Sequence, residues 1–122
     1  MKLHVSGPLG RNAITGYGEG YVLVNGQRHE ASVIVLPDRV LPWDVSEFAG
    51  LTSADFEKLK GLEAEILLLG TGPRQRFPDP RLTAPLAAAG LGVEVMDLKA
   101  ACRTFNILVA EERRVAAALL FR

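Results

Sequence analysis

Short apolar runs that alternate with helical segments constrain the fold of this chain more than any other feature of its sequence. The runs occupy residues 65–69, 93–96 and 115–120. The first of them, continuously apolar from Ile66 to Leu69, is typical of a strand that is buried on both faces of a sheet. Strands that alternate with helices are joined by right-handed crossovers, which make successive strands parallel. The alternation therefore predicts an α/β fold with three parallel strands.

Capping residues and apolar spacing predict three helices between these strands. Residues 51–61 form the first, because Thr52 or Ser53 can cap its start and Gly61 can end it. The second is expected from near Thr83 to just before Gly90, since an earlier start would leave Pro85 in its interior. Asp97 opens the longest helix. Its core-facing stripe is formed by Leu98, Ala101, Cys102, Phe105, Leu108 and Val109.

The N-terminal part of the chain predicts an antiparallel hairpin. Residues 21–24 are apolar, and so are residues 33–36 at the end of the segment 30–36. Asn25-Gly26 between the two segments supplies the positive φ angles of a tight turn, although residues 27–29 must also be placed. The predicted order is thus ββαβαβαβ, with a largely parallel sheet and the hairpin at one side. Residues 1–13 are expected to be loosely held. Because neither a linker nor a repeat divides the sequence, residues 1–122 are expected to form a single domain.

Charge and composition exclude several classes of function. The chain has 14 Lys and Arg residues and 14 Asp and Glu residues, so its formal net charge is zero. Nonspecific binding of nucleic acid or of anionic membranes would need a strongly basic balance. The first residues lack the apolar segment of a secretory signal, and no run approaches the roughly 20 apolar residues of a membrane span. We therefore expect a cytoplasmic protein with no nucleic-acid partner and no membrane insertion.

Polar residues follow the strand ends at Leu69 and Met96, and they predict a candidate ligand site. In open α/β sheets, ligands bind in the crevice beyond the carboxyl ends of the strands. A small anion or a nucleotide fragment would suit the groups present there. The alternative interpretation is structural: a tight turn, a helix cap and solvated charges. The candidate ligand-binding residues are Gly70, Thr71, Gly72, Arg74, Asp97, Arg103, Thr104 and Asn106.

Known cofactor and catalytic motifs do not fit the sequence. The bend Gly70-Thr71-Gly72 lacks the third glycine of a dinucleotide-binding fingerprint, and Pro73 removes an amide donor. Cys102 shares the apolar stripe of its helix, which favours a core residue over a nucleophile. His4, His29 and Cys102 lack the spacing of metal ligands. We therefore predict no catalytic residue, no cofactor and no metal.

Trp43 has two interpretations. A tryptophan in a loop that follows Pro42 can cover the core, or it can anchor a protein interface. Both remain open at this point.

Several segments together resemble a known family, the Mth-type domain of unknown function. They are Trp43-Asp44, the block at 65–72, the run 92–97 that continues into 100–106, and residues 114–119. The resemblance extends from about Gly16 to the C-terminus. It implies a three-layer α/β/α fold with a β-hairpin extension, and it implies no established reaction, cofactor or catalytic residue. The family includes a mitochondrial assembly factor of respiratory complex I and an animal protein associated with adipogenesis.

Two functions follow as expectations. The first is a non-enzymatic protein-interaction or assembly module, resembling the complex I assembly factors, that binds another protein or a second copy of itself. The second is a small-ligand or anion-binding protein, or an enzyme, that uses the crevice beyond Leu69 and Met96. An exposed apolar patch would favour the first, and a pocket that gathers the candidate residues would favour the second.

Overall fold

The computed structural model describes residues 10–122. Residues 1–9 lie outside the described part. They include His4, the stretch in which no secretory signal was expected, and most of the segment predicted to be loosely held. The described residues form eight strands and three α-helices. The strands are β1 (Ile14–Gly18), β2 (Tyr21–Val24), β3 (Gln27–His29), β4 (Val33–Val35), β5 (Val40–Pro42), β6 (Ile66–Thr71), β7 (Gly92–Met96) and β8 (Val115–Leu120). The helices are α1 (Ser53–Glu57), α2 (Pro80–Ala88) and α3 (Leu98–Ala110).

The larger sheet has five strands in the order β5-β4-β8-β6-β7. Strand β6 is parallel to both β7 and β8, as the sequence predicts, whereas β4 is antiparallel to β8 and β5. The register pairs Gly70 with Met96 and Thr71 with Leu120. The carboxyl ends of these three strands therefore meet at one edge of a mixed sheet.

The smaller sheet is antiparallel, in the order β1-β2-β3. Asn25 and Gly26 form its second turn with φ angles of 51° and 82°, as expected for a two-residue hairpin. The location of the hairpin was predicted correctly, but its second strand was not. The partner of β2 is Gln27–His29, and the apolar run at 33–36 contributes β4 to the larger sheet.

Strands β1 and β5 were not predicted. Gly16 and Gly18 interrupt the apolar pattern of β1, and glycine has low strand propensity. Strand β5 has three residues and ends at Pro42, so its local signal is weak.

Side chains from the two faces of the larger sheet form two halves of the core. Val115, Ala117 and Leu119 of β8 pack with α3 and the smaller sheet. Ala116, Ala118 and Leu120 point the other way and pack with α1 and α2. The alternation along β8 is the period of two of a buried strand. It produces the predicted three-layer α/β/α arrangement, with the small sheet extending one outer layer.

Two helices differ from their predicted bounds. Helix α2 begins at Pro80 rather than near Thr83, because Asp79 caps it by accepting a hydrogen bond from the Arg81 amide and because proline is favourable at the first helical position. Pro85 therefore lies inside the helix, which ends at Ala88. The predicted helix at 51–61 divides into α1 and a 3-10 turn, Lys58–Leu62. Within residues 10–122, no helix has the length and apolar character that a membrane crossing requires.

Candidate functional site

A surface cleft of about 1200 Å³ lies beyond the carboxyl ends of β6 and β8. One wall is the turn between β1 and β2, at 17–20, and the other is formed by the bend at 72–76 and the start of α3. Phe121 and Arg122, which follow β8, complete the lining. Of the eight predicted ligand-binding residues, Gly72, Arg74 and Asp97 line this cleft.

Thr71 organises the bend from beneath the cleft. Its side chain is fully buried, and its hydroxyl donates to the Arg74 carbonyl oxygen at 2.7 Å and accepts from the Arg76 amide at 3.0 Å. The Arg76 guanidinium donates in turn to the Thr71 carbonyl oxygen at 2.7 Å. The threonine hydroxyl therefore shapes the loop that carries Arg74 and Arg76.

Gly70 and Gly72 allow close packing at the end of β6. A β-carbon on Gly70 would lie 2.9 Å from Leu119 Cδ2 and 3.2 Å from the Ala101 β-carbon. Gly72 has a φ of +87°, and its carbonyl oxygen accepts from the Leu98 amide at 2.8 Å. Both glycines are thus explained by the turn and by the approach of α3, as the structural interpretation of the sequence expects.

Asp97 is the N-cap of α3. One carboxylate oxygen, Oδ1, accepts a hydrogen bond from the Ala100 amide at 2.8 Å, which satisfies one of the free amides at the helix start. The side chain is half-buried at the edge of the cleft. Its principal contact is therefore with its own helix.

Basic side chains dominate the charged part of the lining. The basic residues are Arg74, Arg76, Lys99 and Arg122, and the acidic ones are Glu19 and Asp97. The guanidinium of Arg76 lies over the Phe48 ring, 4.6 Å from its centroid. None of these basic side chains forms an ion pair with another residue in the range 10–122. The cleft therefore presents unpaired positive charge to solvent.

Three predicted residues on α3 do not line the cleft. Arg103 is exposed and Thr104 is half-buried, both further along the helix. Asn106 contacts β1: its side-chain oxygen accepts from the Ile14 amide and its side-chain nitrogen donates to the Ile14 carbonyl oxygen, both at 2.8 Å. The prediction grouped Asn106 with the strand ends, and the structure gives it the distinct position of a link between α3 and the smaller sheet.

Cys102 and Trp43 both lie in the core. Cys102 is 1% exposed, and burial, with a smaller contribution from the charge of Asp97, raises the pKa of its thiol to about 12. Trp43 is 4% exposed and packs edge-to-face on Phe56, with 6.4 Å between the ring centroids. This placement supports the core interpretation of each residue. Among the described residues, no three His, Cys, Asp or Glu side chains are grouped closely enough to hold a metal ion.

Sequence reasoning missed the wall of the cleft at 17–20 and the side chain of Phe121. Both come from parts of the chain that are distant in sequence from the strand ends at Leu69 and Met96. Tyr17 carried one signal, an aromatic side chain flanked by glycines, but nothing local indicates that it faces α3.

The model of a family described as a protein of unknown function (DUF498/DUF598) matches residues 14–120, nearly the whole chain. The chain belongs to this family. The resemblance predicted from the sequence is thereby confirmed.

A relative within the DUF498/DUF598 family is named NADH dehydrogenase (ubiquinone) 1 alpha subcomplex assembly factor 3, from Xenopus tropicalis. It is 35% identical over 109 residues, which are 88% of this chain and 60% of the relative. The chain therefore spans little more than half the length of this assembly factor.

Solved structures agree with the family assignment. A crystal structure of a Bordetella parapertussis protein has a TM-score of 0.86 at 44% identity and covers 92% of this chain and 97% of its own. A solution structure of a Bordetella pertussis protein, described as a Mth938-like domain, has a TM-score of 0.82 at 37% identity over 98% of this chain and 92% of its own. Both identities are high enough for the similarity to mean a shared fold and common ancestry.

Proposed function

We propose that this chain is a non-enzymatic protein-interaction module of the assembly-factor type, and that a partner protein docks in the cleft beyond β6 and β8. One observation carries the proposal. Thr71, Asp97 and Cys102 are engaged in the fold, since they serve a loop, a helix cap and the core. Of the basic side chains above them, Arg74, Lys99 and Arg122 are exposed and Arg76 is half-buried, and none has an ion-pair partner among the described residues.

The relatives support this proposal through their names, because proteins named as complex I assembly factors match 88% of this chain. From these relatives we extend to this chain only a general activity, the binding of another protein during assembly. The proposal also treats residues 1–122 as one domain and places it in the cytoplasm. The partner is a different protein or a second copy of this chain.

Position-specific photocrosslinking tests the docking surface. A photoreactive amino acid replaces Lys99 at the cleft in one variant and Lys58, which is exposed at the end of α1, in the other. Both are expressed in the native cells, adducts are identified by mass spectrometry, and the captured protein is purified and titrated against this chain by calorimetry. We expect an adduct from position 99 only, a measurable affinity for the purified partner, and weaker binding by Lys99→Glu. Equal adducts from both positions, or no binding by the purified partner, would contradict the proposal.

The second candidate is a small-anion binder, or an enzyme for an anionic substrate, at the same cleft. The clustering of Arg74, Arg76 and Lys99 around the bend and the start of α3 favours it. Inorganic phosphate, titrated at constant ionic strength and followed by NMR, would shift the amide signals of Gly72, 74–76 and 97–99 in a saturable way. Small, linear shifts spread over the surface would exclude this candidate.

A further inference from the structure

We infer that the partner presents an acidic segment to the cleft, with apolar residues between its carboxylates. This inference rests on the proposed function, because it names the chemistry of the segment that docks there. The first support is local charge. The chain as a whole has a formal net charge of zero, yet four basic and two acidic side chains line the cleft.

The acidic side chains in the lining do not neutralise the basic ones. Asp97 uses its carboxylate to cap α3, and Glu19 lies on the turn of the opposite wall. Neither carboxylate forms an ion pair with a residue of the described range. A docking carboxylate would therefore meet arginine and lysine groups without displacing an internal partner, and guanidinium groups bind carboxylates well.

The two arginines of the bend are positioned differently. Arg74 is exposed, whereas Arg76 is half-buried and held by the Thr71 carbonyl oxygen and the Phe48 ring. Side chains that are already ordered lose less conformational entropy when a ligand binds. Arg76 thus offers a fixed charge inside the cleft, and Arg74 and Lys99 offer mobile charges at its rim.

Aromatic and apolar surfaces account for the apolar residues of the proposed segment. Tyr17 is 37% exposed on one wall, Pro73 is exposed on the other, and Phe121 is half-buried between them. Tyrosine and arginine are both enriched at the centres of protein interfaces. An extended chain with alternating acidic and apolar side chains can contact the basic groups and these surfaces together.

The dimensions of the cleft favour a chain segment over a small molecule. Pockets for small ligands usually have volumes of about 300 to 1,000 Å³ and enclose most of the ligand. This cleft is larger, at about 1200 Å³, and Tyr17, Arg74 and Lys99 on its walls are exposed. A small anion would remain largely hydrated there, whereas a peptide could span both walls.

Fluorescence anisotropy with designed peptides tests the inference. One labelled peptide alternates Glu or Asp with Phe or Leu, and its control carries Gln or Asn at the acidic positions. We expect the acidic peptide to bind at least about tenfold more tightly than the control, and its affinity to fall as NaCl rises from about 50 to about 300 mM. The same titration is repeated with inorganic phosphate as a competitor at constant ionic strength.

Charge-reversal variants locate the binding. Arg74→Glu combined with Lys99→Glu should weaken binding of the acidic peptide by about tenfold or more. The matched control combines Arg103→Glu with Lys58→Glu, which reverses the same charges on exposed residues outside the cleft. That control should change the affinity less than about twofold. Circular dichroism confirms that both variants are folded.

Three results of the peptide titrations would overturn the inference: equal binding of the neutral peptide, equal weakening by the control variant, or displacement of the peptide by millimolar phosphate. The first two would show that no acidic segment is recognised at the cleft, and the third would favour the small-anion candidate. A position-dependent crosslink from residue 99 to a protein that lacks an acidic segment would preserve the docking proposal while overturning this inference. The two proposals can therefore fail separately.

Discussion

At the scale of single residues, Cys102 shows how burial decides the chemistry of a reactive group. The start of a helix lowers the pKa of a nearby thiol, because the helix dipole stabilises the thiolate. Cys102 lies near the start of α3, yet its pKa is raised to about 12, first because burial removes water from the thiolate and second because Asp97 repels it. Burial therefore sets the direction of the shift, and the thiol stays protonated at neutral pH.

This raised pKa predicts a pH dependence of stability. In the unfolded chain the thiol ionises from about pH 9, its ordinary pKa, while the folded chain retains the proton up to about pH 12. The unfolded state thus binds fewer protons between these values, so the free energy of unfolding should fall as pH rises through this window. Urea denaturation of the wild type and of Cys102→Ala at a series of pH values measures the effect. We expect a shallower fall in the variant, and identical slopes in the two proteins would contradict the assignment.

At the scale of secondary-structure elements, the contact between β6 and α3 depends on Gly70. A β-carbon added at Gly70 would lie 3.2 Å from the Ala101 β-carbon on α3 and 2.9 Å from Leu119 Cδ2 on the neighbouring strand β8. Packed interiors have little spare volume, so these neighbours would have to move. This close packing fixes the end of β6 relative to the start of α3. It therefore also fixes the positions of the bend that follows β6 and of the cap at Asp97.

Gly70→Ala should therefore destabilise the protein by about 1 to 3 kcal/mol, the usual cost of overpacking a core. Gly61→Ala is the matched control, because nothing lies within 4 Å of a β-carbon added there. It should change stability by no more than about 0.5 kcal/mol, as is usual for surface substitutions. Urea denaturation measures both. Equal effects of the two substitutions would show that close packing at Gly70 is unimportant.

At the scale of the whole molecule, Asn106 joins α3, which packs on the larger sheet, to the smaller sheet. Its side chain makes two hydrogen bonds to the backbone of Ile14, 92 positions away in the sequence, and so holds β1 against α3. The two walls of the cleft belong to different layers, the β1–β2 turn to the smaller sheet and the bend to the larger one. The width of the cleft therefore depends on how this sheet is docked.

Asn106→Ala should loosen the smaller sheet while leaving the larger sheet intact. The substitution leaves the Ile14 amide and carbonyl without their partners, at a cost of about 1 to 3 kcal/mol. We expect hydrogen exchange in 14–24 to accelerate by about tenfold or more, with β6 and β8 little changed. Thr104→Ala, half-buried on the same helix, is the control and should leave the exchange rates unchanged. Uniform acceleration across both sheets would show that Asn106 does not act locally.

Local patterns explain why part of the site was predictable. The strand ends at Leu69 and Met96 follow from short, largely apolar segments, and the cap at Asp97 follows from its position before an apolar stripe. Gly72, Arg74 and Asp97 could therefore be placed together at one edge. Arg103, Thr104 and Asn106 were placed there by proximity in sequence alone. A helix rises 1.5 Å per residue, which puts Asn106 about 13 Å along α3 from Asp97.

The sequence by itself determined the α/β class, the three parallel strands, the core position of Cys102 and the family, because each depends on patterns within short segments. The tertiary structure decided that β1, β2 and β3 pair with one another in the smaller sheet and that the run at 33–36 pairs with β8 in the larger one. It also decided which side chains form the opposite wall of the cleft. These features depend on contacts between distant segments such as Asn106 and Ile14. Such contacts depend on how whole layers pack against one another, and local periodicity carries no information about that packing.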